Sequence, residues 1–88
     1  MFERKVKDKL KHIEELLIEK NKKYGDSALK PVQVFSKANA GEGICMRIDD
    51  KLKRIANSGL NDDTEDTLLD LVGYLVLLMI SRDDSNNI

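Results

Sequence analysis

The stretch from Leu68 to Ile80 constrains this 88-residue chain more than any other. Asp70 is its single charge, and its apolar positions point in nearly every direction around a helix axis, the pattern of a helix buried on all sides. It is too short to span a bilayer, which takes about 20 apolar residues, and a carboxylate in its middle would be costly there. A chain of this length makes one domain, and the remainder offers only two amphipathic helices and a short third to cover such a helix. Any uncovered side would be a large apolar patch of the kind soluble monomers avoid. A second copy is the simplest cover, and two-fold dimers are the commonest closed assembly. The expected architecture is therefore all-α: a small bundle of three long helices plus one short helix, completed by homodimerisation into a four-helix-type core.

The other helices follow from periodicity. Phe2, Val6, Leu10, Ile13 and Leu17 recur at steps of four, four, three and four, one stripe of an amphipathic helix over residues 2–23. Glu3 with Lys7 and Glu19 with Lys23 add pairs in the favourable i,i+4 order. Past Leu17 the same inward face carries Lys20, Asn21 and Tyr24, so polar groups point to the interior, and Gly25 ends the helix. Pro31 predicts the first turn of a short helix through Val32, Val34, Phe35 and Ala38, broken by Asn39-Ala40-Gly41-Glu42-Gly43. Ile44, Ile48, Leu52 and Ile55 mark a second long helix that Asn57-Ser58-Gly59 stops. Asp62, Asp63 and Thr64 are candidate N-caps for the third, which runs from about Thr64 to Arg82, and Asp62 with Glu65 reads as a capping-box variant. The domain spans 1–82, and 83–88 is expected to be a disordered tail.

Charge separates by segment. Residues 1–56 carry fourteen Lys/Arg against nine Asp/Glu, and residues 57–88 one Arg against seven acids. Either the two halves attract each other in the fold, or cations and carboxylates converge on a phosphate and its metal. Cys45 is the only cysteine, which excludes an intrachain disulfide and favours a reducing compartment. The N-terminus has no apolar signal segment, so a cytoplasmic location is expected. Direct nucleic-acid binding is disfavoured because the lysines of the first helix are interleaved with Asp8, Glu14, Glu15 and Glu19, and only four aromatics are present.

Asp66 and Asp70, four apart, share a face of the third helix that Gly73 and Leu77 continue. Asp66 is explicable as a first-turn acid, and Asp70 as the ion-pair partner of Arg47, Lys51 or Arg54 on the second helix. Against that, a buried ion pair is often no better than an apolar replacement, so a buried Asp70 suggests a task. Mg²⁺ takes oxygen ligands, commonly one or two carboxylates plus waters and phosphates, and i,i+4 carboxylates can supply them. Arg47, Asp50, Lys51 and Arg54 form a broad polar side of the second helix; Asp50 lies nearly opposite its apolar stripe.

The run Lys20-Asn21, Tyr24-Gly25-Asp26-Ser27, Pro31, Phe35-Ser36-Lys37, Arg47-Ile48-Asp49-Asp50-Lys51-Leu52-Lys53-Arg54-Ile55 and Glu65-Asp66-Thr67-Leu68-Leu69-Asp70-Leu71-Val72-Gly73-Tyr74 resembles the phage and bacterial nucleotide-modification-associated domain. That domain in turn looks related to the MazG-like all-α nucleoside triphosphate pyrophosphohydrolases, α-helical dimers or tetramers in which acids from two helices bind Mg²⁺. The resemblance implies a Mg²⁺-dependent hydrolase, with Mn²⁺ as a substitute ion, releasing pyrophosphate from a nucleoside triphosphate in phage or prophage nucleotide metabolism. Asp50, Asp66 and Asp70 would be its catalytic metal ligands. Arg47, Lys51 and Arg54 would neutralise phosphate, and Asn21 and Tyr24 would contact base or sugar. Arg47 stands where the MazG-like pattern has the first acid of Glu-x-x-Glu; a guanidinium cannot ligate metal but can clamp phosphate bidentately. Glu14 could donate the missing carboxylate. The departure keeps a second function open, a non-catalytic nucleotide-binding or partner-binding helical module.

Overall fold

A computed structural model of the protein describes residues 1–61, 63 and 65–86. These form three helices, α1 (Phe2–Tyr24), α2 (Ala40–Ser58) and α3 (Thr67–Asn86), with no strand among the described residues. No helix is long and apolar enough to cross a membrane among the described residues.

α1 forms over the expected residues, but of its apolar stripe Phe2, Val6 and Leu10 are exposed and only Ile13 and Leu17 turn toward the rest of the chain. Lys7 pairs with Glu3 at 2.9 Å and Arg4 with Asp8 at 4.0 Å, but these groups are largely exposed, so each pair contributes only about 0.2–0.5 kcal/mol. Gly25 ends the helix in the left-handed region at φ 63°, and its N–H donates to the Asn21 carbonyl.

The short helix expected over residues 31–38 is not formed. Gln33 sits at φ 59°, which no right-handed helix accommodates, and its side-chain amide donates to the carbonyls of Lys37 and Ala38 while Lys37 Nζ donates back to the Gln33 carbonyl. Local side-chain to backbone bonds have taken over the groups a helix would have used. The stretch 39–43, expected to be a break, instead opens α2. Asn39 is the N-cap: its Oδ1 accepts from the Glu42 N–H at 2.9 Å, and its side-chain amide donates to Glu42 Oε1 at 3.0 Å. A well-made cap outweighs two helix-weakening glycines.

α3 begins at Thr67. Its start is fixed by Asp66, whose Oδ1 accepts from the Leu69 N–H at 3.0 Å; of the expected caps, Asp63 lies in a turn ahead of the helix and does not cap it, and Asp62 and Thr64 lie outside the described residues. The helix continues to Asn86, through most of the stretch expected to be a tail.

α2 and α3 pack along one another as an antiparallel hairpin, with Gly41 beside Ser81 and Lys51 beside Asp70. α1 meets α3 sparingly, over about one turn at Leu17 against Gly73 and Lys20 against Asp70, and makes no backbone approach to α2. The covered core is thin: Ile44 is the one apolar side chain of the described residues that is fully buried.

Two glycines should respond in opposite directions. Gly25→Ala forces a Cβ into the left-handed region and should lower stability by about 1 kcal/mol. Gly43 lies inside α2, and a methyl added there would meet nothing within 4 Å, so Gly43→Ala should raise stability by about 0.5–1 kcal/mol. Urea midpoints followed by far-ultraviolet circular dichroism check both signs.

Candidate functional site

The gap left between α1 and the α2/α3 hairpin is a groove of about 430 Å³, within the range of small-molecule sites. Ile13, Leu16 and Leu17 of α1 face Leu69 and Leu77 of α3 across it, and Gly73 lies between them. Gly73 is buried, and a methyl there would stand 3.1 Å from Leu17 Cδ2, so the missing side chain leaves room for Leu17 where α1 meets α3. The polar part of the lining comes from all three helices: Lys20, Asn21 and Tyr24 of α1, Arg47 and Lys51 of α2, Asp70 of α3, with Glu65 just before α3.

Asp70 organises this polar part. Its Oδ1 lies 3.4 Å from Lys20 Nζ and its Oδ2 3.4 Å from Lys51 Nζ, so one carboxylate ties α1 and α2 to α3. Lys51 Nζ also donates to Glu65 Oε1 at 2.8 Å, and the same oxygen stands 3.2 Å from Arg54 Nε. The Lys51 side chain is only 14% exposed. Its ammonium is held above the usual 10.5, chiefly by the hydrogen bond to Glu65; burial opposes this, and the nearby Asp70 charge supports it. Asp70 therefore has the ion-pair partner anticipated on the second helix, together with a second from α1.

Of the eight residues singled out in the sequence, Asn21, Tyr24, Arg47, Lys51 and Asp70 line the groove. Arg54 stands behind it on Glu65. Asp66 is exposed and engaged as the cap of α3, and Asp50 is exposed and outside the lining. Among the described residues, no group of three or more His, Cys, Asp or Glu side chains stands close enough to hold a metal ion. The carboxylates Asp50, Asp66 and Asp70 are thus not assembled into one Mg²⁺ site within a single chain. Sequence reasoning misses two charged lining residues as parts of the site. Lys20 is visible as a polar residue on the inward face of helix one, and Glu65 reads there only as part of a cap.

Arg47 differs from the other lining cations. Lys20 and Lys51 are committed to carboxylates, whereas Arg47 makes no ion pair among the described residues. The polar end of the groove thus carries three cations against two carboxylates, with one guanidinium to spare. Such an arrangement suits an anionic ligand whose other part is flat and apolar: the guanidinium forks onto the anion, while leucine and tyrosine side chains take the rest. No family model matches the chain, and neither a curated protein nor a solved structure gives a significant match.

Replacing the Lys51 ammonium removes a charge-assisted bond and leaves Glu65 to Arg54 and Asp70 to Lys20, so Lys51→Met should cost about 1.5–3 kcal/mol near neutral pH. Because the folded-state pKa of Lys51 is raised, its contribution is complete below pH 10.5 and fades as pH rises through the elevated value. Wild-type urea midpoints should therefore fall above about pH 10 more steeply than those of Lys51→Met.

Proposed function

We propose that this protein is a nucleotide-binding helical module that acts as a homodimer, with the nucleotide seated in the groove between α1 and the α2/α3 hairpin. The observation that carries this reading is the Arg47 guanidinium, which has no ion pair among the described residues and stands at the polar end of an otherwise apolar groove. Arg47 would clamp a phosphate bidentately without giving up an existing ion pair, and Lys20 and Lys51 would neutralise the remaining charge. Tyr24 and Tyr74, which both line the groove, offer ring faces to a base, and Asn21 offers an amide for its polar edge. The likeness of these residues to the nucleotide-modification-associated domain points to the same ligand class, and to a place in phage or prophage nucleotide metabolism in the cytoplasm.

A second reading is hydrolysis of the bound nucleoside triphosphate to monophosphate and pyrophosphate. Glu65 and Asp70 favour it, because the two carboxylates converge on a single cation, Lys51 Nζ, at 2.8 and 3.4 Å. Mg²⁺ or Mn²⁺ held by one or two carboxylates and water is a common arrangement at phosphate chains, and such an ion supplies charge stabilisation and an activated water.

Calorimetric titration with a panel of deoxynucleoside and ribonucleoside triphosphates, with and without Mg²⁺, tests both readings. Arg47→Ala should weaken binding about tenfold or more, the loss expected when a charge-assisted contact worth roughly 1.5–3 kcal/mol is removed. Asp84→Asn, on an exposed residue at the far end of α3, should leave binding unchanged. Absence of binding by any nucleotide removes the proposal. Pyrophosphate release that Asp70→Asn abolishes would establish the hydrolase; tight binding without release would leave the module.

A further inference from the structure

The side of α3 turned away from the groove is left partly exposed. Leu68, Val72, Leu75 and Met79 recur along it at steps of four, three and four, and they are 51, 37, 45 and 66% exposed. At 3.6 residues per turn this stripe lies nearly opposite the face that carries Leu69, Asp70, Gly73 and Leu77 into the groove. α3 therefore presents one face to α2, one to the groove and a third, apolar and about half-exposed, largely to solvent.

The chain as a whole has enough surplus surface for such a face to be covered by a partner. A monomer of 10.0 kDa is expected to expose about 5,200 Å², whereas this chain exposes 7300 Å², an excess of about 2,000 Å². Permanent homodimers bury about 2,000–5,000 Å² in total, so even half of that excess, removed from each of two chains, suffices for one. The stripe has the four–three spacing of a coiled-coil seam, and a seam of that kind pairs with an identical one across a two-fold axis.

We infer that a second copy of this chain docks on the Leu68/Val72/Leu75/Met79 face of α3, so that α3 and its counterpart form the centre of the dimer and both grooves open outward, away from the interface. This deepens the dimeric part of the reading above and is independent of the nucleotide. Each groove is then built within one chain rather than between two.

Sedimentation of the purified full chain at micromolar concentration should give twice the 10.0 kDa chain mass, and its melting temperature should rise with protein concentration. Leu75→Glu and Met79→Glu should each return the mass to that of one chain or abolish helical circular dichroism. Either result places the carboxylate in a covered position, since in a lone chain these half-exposed sites would leave it hydrated. Val32→Glu, on an exposed residue outside the stripe, should change neither mass nor helicity. A folded wild type at single-chain mass with a concentration-independent melting temperature would overturn the dimer altogether. A double-mass wild type whose Leu75→Glu and Met79→Glu variants keep that mass would overturn this face while leaving the dimer and the groove standing.

Discussion

A helix that is apolar on all sides must be covered from every direction, and α3 has two helices of its own chain with which to do it. α2 covers one side along its length, and the register of Gly41 with Ser81 and Lys51 with Asp70 holds the hairpin together. α1 covers a second side incompletely, touching near Gly73 and Asp70 and standing off elsewhere. The groove is the space that this incomplete coverage leaves, and its apolar walls are core surface that no described side chain of the same molecule fills. Function and fold thus draw on one shortage of covering surface.

Asp70 is the exception within α3, and it sits where the exception is useful. A carboxylate in so apolar a helix is tolerated because two ammonium groups reach it, one from each neighbouring helix. Those contacts form only in one relative register of the three helices, which apolar stripes alone specify loosely. The net energetic gain of such half-buried pairs is small, but the misregistered alternatives leave a carboxylate unpaired in an apolar setting and are disfavoured by several kcal/mol. The same groups supply the polar end of the groove, so the element that aligns the helices is also the one that charges the site.

The features legible in the sequence are those written as periodicity. α1, the body of α2 and α3 are regular stripes or runs, and their faces follow from spacing, including the inward turn of Lys20, Asn21 and Tyr24. The start of α2 is hidden because Gly41 and Gly43 carry a strong breaker signal, whereas the cap formed between Asn39 and Glu42 shows itself only as a short spacing. The 31–38 segment departs from expectation for a related reason: Pro31 suits a helix start, but the reversal at Gln33 depends on bonds to Lys37 and Ala38 that no propensity encodes. In the site, spacing identifies Asp70 and one of its two cations, Lys51, but not Lys20, and it cannot separate Asp66 from Glu65. Both precede the helix, and helical geometry does not extend to residues outside it. The structure gives the cap to Asp66 and the ion pair to Glu65.

The division of labour among the cations decides how a phosphate can enter. Lys51 is nearly buried and bonded to two carboxylates, so drawing its ammonium toward a ligand would weaken contacts worth roughly 1.5–3 kcal/mol each. Since about 1.4 kcal/mol is a factor of ten in affinity, a ligand that depended on Lys51 alone would surrender roughly ten- to a hundredfold of its binding. Arg47 carries no such cost, because among the described residues it has no carboxylate to leave. An anion should therefore settle first on Arg47, with Lys20 and Lys51 acting through space while they keep Asp70 in place. In that arrangement the ligand adds its charge to the network without dismantling it. The contacts that align α1, α2 and α3 survive binding, and the groove can fill without loss of the register that forms it.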